Sequence, residues 1–128
     1  MEPLVNYTLI INEITLVNHH ITGQSFKVDP QIHRKIDIID DSHAAVTYIL
    51  EIKNTQEHPF PMDITVSLTG QFDLSKLAKE NIDDFLKIQT CQILFPQIRS
   101  IVASLTTSAL MPPILLPIVD ARKLFNEK

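Results

Sequence analysis

The chain has 128 residues with 11 basic and 15 acidic side chains, a formal charge of -4. That length predicts one domain, residues 1–128, able to bury a core of its own. A negative balance with no run of Lys or Arg excludes nucleic acid as a natural partner, and 2 glycines leave no material for a phosphate-cradling loop or a dinucleotide fingerprint.

From Val5 to Val17 apolar residues alternate with smaller or polar ones: Val5, Tyr7, Leu9 and Ile11 on one parity, Ile14 and Leu16 on the other. A parity shift within one run predicts a first strand that either carries a bulge or is covered on both faces. Asn18-His19-His20 then opens a polar connection through Gly23 and Gln24 to Pro30, long enough to cross from one edge of a sheet to elsewhere, with Phe26 and Val28 as its apolar anchors. Lys35 to Asp40 alternates with period two and ends in the turn cluster Asp40-Asp41-Ser42, and Ala45 to Lys53 resumes the period. Asn54 to Pro61 reads as a turn, and Met62 to Phe72 as a fourth strand in which Gly70 marks a bulge or bend.

Helical periodicity takes over after a short turn, Leu74 to Glu80. Asn81-Ile82-Asp83-Asp84 reads as an N-cap followed by acids in the first turn, with Phe85, Leu86 and Ile88 facing the core. Leu94, Ile98, Ile101, Val102, Leu105 and Ala109 continue one apolar face, opposite Gln97, Arg99, Ser100, Ser104 and Thr107. Pro96 supplies no N–H and crowds the preceding turn, so a kink or a restart is expected there. Leu110 to Val119 is nearly all apolar, yet its prolines forbid both helix and central strand; it is either packed on its own core or shared with a partner. Asp120 would cap a short last helix from Ala121 to Phe125. Strands first and helices afterwards define an α+β fold: a four-stranded antiparallel sheet with a long kinked helix and a short C-terminal helix packed on one face.

Chemistry finds little support. His19 and His20 are adjacent and point oppositely if extended, while His33, His43 and His58 stand singly in turns or strand starts, so no metal-ligand spacing emerges. Cys91 precedes the apolar Ile93-Leu94-Phe95 and reads as a buried, inert thiol. Asp40-Asp41 and Asp83-Asp84 are neighbours that cannot converge on one bond. No enzyme, cofactor or metal is expected, a small hydrolase built on His43 or Cys91 being the least favoured alternative. Cys91 has no internal disulfide partner, Met1-Glu2-Pro3 lacks the basic, apolar start of a signal peptide, and no stretch of about 18 apolar residues escapes Pro and charge. A cytoplasmic chain without a membrane span follows as the expectation.

The stretch Phe85-Leu86-Lys87-Ile88-Gln89-Thr90-Cys91-Gln92-Ile93-Leu94-Phe95-Pro96-Gln97-Ile98-Arg99 resembles the SecB protein-export chaperones, whose long helix carries F-L and then Leu-Phe-Pro-x-x-Arg at this spacing. Met111 to Asp120 resembles that family's proline-rich lid loop, Leu124-Phe125 its closing pair, and Phe26, Asp29 and Lys35-Ile36-Asp37-Ile38 its crossover loop and second strand. The resemblance implies an ATP-independent holdase for unfolded preproteins or for a dedicated client such as an antitoxin. It also implies a homotetramer, a dimer of dimers built through the first strand and the long helix. The client groove would be lined by Phe26, Ile36, Ile38, Leu94, Phe95, Met111, Ile114 and Leu116. An adaptor that uses the same fold only to assemble is the alternative. Departures accompany the likeness: Ser108-Ala109-Leu110 replaces a glycine pair before the lid, Met111 the lid Phe, and Pro30 the crossover Trp. Of the acidic patch that docks the SecA motor only Glu13 is matched, Val17 and Thr65 standing at the other acidic positions, which implies weakened or absent coupling to SecA.

Overall fold

In the computed structural model, residues 5–21, 28–57 and 59–116 are described. Four strands, β1 (Asn6–Asn18), β2 (Gln31–Ile38), β3 (His43–Ile52) and β4 (Met62–Asp73), pair antiparallel in the order β1-β4-β3-β2. β1 and β2 are therefore the two edges, and the connection between them passes from one side of the sheet to the other, as its length suggested. β2 starts at Gln31, earlier than the Lys35 expected from alternation alone. The expected last helix, Ala121–Phe125, lies outside the described residues.

Directly paired residues share a face, so the register tells which side each strand turns toward the helix. Ala44, Val46, Tyr48, Leu50 and Ile52 of β3 and Met62, Ile64, Val66, Leu68 and Phe72 of β4 form the inner face and are all buried. On β1 the inner positions are Tyr7, Leu9 and Ile11, then Ile14 and Leu16, because the register slips between Ile11 and Glu13. Of the two explanations for the parity shift, the bulge is the one found. Asn12, the extra residue, sends its side-chain amide to Thr69 Oγ1 (2.7 Å) and Ser67 Oγ (3.2 Å), so a polar residue fills the slip and the apolar side stays inward on both halves.

Gly70, in contrast, interrupts nothing: it pairs in register with Leu9 on one side and Val46 on the other. Of the bulge or bend expected there, the bulge is absent, and the reason for glycine is space. A Cβ would stand 2.7 Å from the ring of Phe72 and 3.2 Å from Leu94 Cδ2, so the position is kept bare for the ring and for the helix above it.

One continuous helical run crosses β3 and β4. It begins with α1 (Lys79–Asp84), passes through a π turn at Phe85–Gln89, and continues as α2 (Thr90–Ser108). The start lies earlier than expected: Ala78 holds the N-cap position without a side-chain hydrogen bond, Asn81 sits inside the helix, and Glu80 is the acid of the first turn. Pro96 does not break the helix, since α2 runs through it. Gln92 and Pro96 both lie on the exposed side, where water can take the carbonyl that Pro96 leaves unbonded. The irregularity is the π turn, and the apolar spacing demands it. Phe85 and Leu86 must face the sheet, as must Thr90 and Cys91 five positions on; a regular helix would rotate the second pair away, and a turn closed by i→i+5 bonds restores it.

Candidate functional site

Two features stand out above the sealed core: an apolar segment strapped back along α2, and a polar cluster beneath the π turn. The first begins where α2 stops. Leu110 N–H donates to the Thr107 carbonyl and Met111 N–H to the Thr106 carbonyl, both at 3.0 Å, which is the paired bonding of a Schellman end. Leu110 sits in the left-handed region with φ 61, where glycine is the usual occupant, and is 94% exposed. From Met111 the chain is extended through two prolines and doubles back. Ile114 N–H donates to Thr106 Oγ1 (3.0 Å), whose own proton goes to the Val102 carbonyl (2.9 Å), and Arg99 Nε donates to the Leu116 carbonyl (2.7 Å). Two side chains of α2 thus hold a segment that prolines bar from regular pairing. Leu116 tucks into the core, Met111 and Ile114 are half-buried, and Leu115 is 76% exposed.

Beneath the π turn, the diversion of one amide leaves carbonyls for side chains to satisfy. Thr90 N–H reaches the Phe85 carbonyl, five residues back, while the Thr90 hydroxyl donates to the Leu86 carbonyl at 2.7 Å. The next carbonyl, Lys87, accepts from Arg34 Nη1, also at 2.7 Å. Arg34 belongs to β2 and pairs with Tyr48 of β3, so the guanidinium spans from the sheet edge to the helix. Burial pushes the Tyr48 hydroxyl well above the usual phenol range, with Cys91 beside it. Cys91 itself is buried, as expected.

The sequence-derived groove residues fall into three groups. Leu94, Phe95 and Leu116 lie in the protomer's core; Ile36, Met111 and Ile114 are half-buried; Ile38 is 62% exposed, and Ile39 next to it is similarly open. Phe26 lies outside the described residues. Thr106, Arg99 and Arg34 were missed as positioning residues. Only Arg99 left a trace in the sequence, as the last letter of the Leu-Phe-Pro-x-x-Arg signature.

Among the described residues nothing gathers into a catalytic constellation. His43 Nδ1 lies 2.9 Å from Asp40 Oδ1 in the β2–β3 turn. The Ser42 amide first, and then His43, hold Asp40 below the ordinary carboxylate range, and Asp40 in turn raises His43. Both are solvent-exposed turn residues rather than a base facing a nucleophile. Among the described residues no three His, Cys, Asp or Glu side chains could hold a metal ion, and no helix is long and apolar enough to cross a membrane.

The described residues thus form a one-layer sheet with a helix on one face and an apolar segment strapped along that helix. The family model described as preprotein translocase subunit SecB matches residues 13–128. The chain belongs to the SecB family. It is similar to the protein-export protein SecB of Ehrlichia canis, 23% identical over 133 residues, covering 98% of this chain and 72% of that protein. A second relative, the SecB of Rhodopseudomonas palustris, is 26% identical over 105 residues, covering 82% of this chain and 64% of that protein. Among solved structures, the SecB-like chaperone Rv1957 of Mycobacterium tuberculosis, in complex with a ChAD peptide from the HigA1 antitoxin, superposes with a TM-score of 0.74 at 17% identity, covering 91% of each chain. That likeness is one of fold.

Proposed function

We propose that the chain is a holdase-type chaperone that binds non-native polypeptide by apolar burial without ATP, in the cytoplasm, for export or for a dedicated client. Membership of the SecB family supports the class, and one observation carries the site: aliphatic side chains of the lid and of the end of β2 stand open or half-open, with Leu110, Leu115, Ile38 and the following Ile39 the most exposed. We read Ile36, Ile38, Met111 and Ile114, with Phe26, as the groove walls, and Leu94, Phe95 and Leu116 as the packed support beneath them. Such a surface gains roughly 25 cal/mol per Å2 of apolar area covered and reads no sequence, which suits unfolded clients. That Rv1957 was solved with an antitoxin peptide makes a dedicated client of that type one concrete candidate.

Assembly is part of the same proposal. β1 exposes Tyr7, Ile11 and Ile14 inward and Ile10 and Val17 outward, more apolar surface than a lone edge strand should carry, and pairing of two first strands in a dimer of dimers would cover it. Coupling to SecA is the weakest inheritance. Glu13 is exposed on the outer face of β1, where its carboxylate accepts from Thr15 Oγ1 at 2.7 Å. The other acids of that face stand beside cations or histidines, as in His19–Asp63 (2.9 Å), Lys35–Asp37 (3.7 Å) and Lys53–Glu51 (3.9 Å). With Lys35 and Lys53 beside two of these acids an acidic docking patch would be weakened, and purified SecA should bind this chain no better than micromolar in a titration.

The deciding experiment is light scattering with a chemically denatured client. The chaperone reading expects aggregation to be suppressed near stoichiometric amounts, and Met111→Asp to abolish that suppression while the melting temperature holds, because a charge in a client-facing wall is desolvated only when a client binds. An adaptor that merely assembles would leave aggregation untouched.

A further inference from the structure

The lid is fastened to α2 more firmly at its two ends than in its middle. At the near end the Leu110 and Met111 amides donate into the last turn of the helix. At the far end the Arg99 guanidinium holds the Leu116 carbonyl at 2.7 Å, a charge-assisted bond, and the Leu116 side chain is buried. Between them lie Pro112, Pro113, Ile114 and Leu115, of which only Ile114 is half-buried. The prolines have no N–H to give, and among the described residues one hydrogen bond ties this middle stretch to the helix: Ile114 N–H donates to Thr106 Oγ1 at 3.0 Å. We propose that Thr106 is the latch of the client seat: its hydroxyl holds Ile114 against α2, and release of that one bond lets a client segment lie where Ile114 lay. This rests on the holdase reading above.

The bond suits release because breaking it leaves no buried donor unpaired. Thr106 is fully buried, and its own proton goes to the Val102 carbonyl at 2.9 Å, with the Ala103 carbonyl at 3.1 Å as a second acceptor. The hydroxyl therefore keeps its bond to the helix whether or not Ile114 is seated. The Ile114 amide, once it swings outward, exchanges one neutral oxygen for water, and a typical intramolecular hydrogen bond wins that exchange by a factor of only about two to ten. The half-buried Ile114 side chain adds less than a fully packed one would. Closed and open lids are thus close in free energy, and a client that covers the bared helix tips the balance toward the open one. Pro112 and Pro113 keep the moving stretch stiff, since each fixes φ at about −65°. Leu110, left-handed at φ 61, stands at its near hinge.

The test uses the full chain and a chemically denatured, fluorescein-labelled client, with capture followed by stopped-flow anisotropy. Thr106→Val keeps nearly the same shape but no acceptor, and should speed capture by about fivefold. Thr106→Ser restores the hydroxyl and should capture at the parent's rate, which a purely packing role for the threonine methyl would not give. Far-UV circular dichroism checks the fold, and Thr106→Ala replaces the valine variant if that one does not fold. In the parent, hydrogen exchange should show the Ile114 amide better protected than that of Leu115. An Ile114 amide as open as its neighbour, a variant without the hydroxyl that captures no faster than the parent, or a serine variant that behaves like the valine one, each overturns the latch. Failure of the parent to hold any denatured client overturns the holdase reading itself, and with it this proposal.

Discussion

β1 and β3 carry nearly the same alternation, yet they meet opposite fates. On β3, five successive inner residues from Ala44 to Ile52 are buried under the helix and between two neighbouring strands. On β1, Tyr7, Ile11 and Ile14 occupy the equivalent inner positions and remain about half open, because α2 packs over β4 and β3 and stops short of the edge. Periodicity therefore reports which way a side chain points and not what covers it. In a protein whose work is to be covered by other chains, that second question is the functional one.

Substitutions at the two strands' coverings should separate these roles. Leu94→Ala, near the start of α2 and against Gly70, removes a fully buried side chain from a packed seam and should cost about 3 kcal/mol in urea unfolding, whatever the assembly state. Ile14→Asp should hardly change the secondary structure of the protomer, but it should shift the mass seen by sedimentation toward smaller species. Half-exposed aliphatics that an interface re-covers are worth about 1 kcal/mol each, and a charge there reverses the sign. An unchanged sedimentation profile would mean that β1 is not the assembly edge. Smallest of all, Leu110→Gly should stabilise the chain by up to about 1 kcal/mol in the same urea assay, since it relieves a left-handed leucine that packs on almost nothing. The same change tests whether that exposed leucine belongs to the client surface: holding should weaken while stability rises.

Much of the fold was legible, for identifiable reasons. The strands announced themselves through period-two alternation, and even the bulge at Asn12 showed as a parity shift between Ile11 and Ile14. The π turn was not legible because its cause is a spacing of five between Phe85-Leu86 and Thr90-Cys91, and Thr90 reads as polar until its hydroxyl is seen bonded to Leu86. Proline drew attention to position 96 instead, where solvent exposure made the lost amide tolerable. Gly70 was read through backbone freedom when the relevant quantity was the room needed by Phe72 and Leu94. Of the candidate site, the apolar content of β2 and the lid was visible; the polar fasteners were not. Thr106 and Arg34 look like solvent-facing residues in a string of letters, and become structural only when a second segment arrives to accept or donate.

The slip at Asn12 has one more consequence, for how this family member tolerates change in length. Residues before it are in phase with those after it only because one position has no opposite number on β4. Loss of the Asn12 codon would leave Ile11 beside Glu13, opposite Leu68 and Ser67 as they already are, so both halves of the strand would keep their faces and only the bulge would go. Point substitutions along this strand trade one side chain; loss of this one residue would trade the local twist of the bulge for straight pairing and leave both surfaces in place.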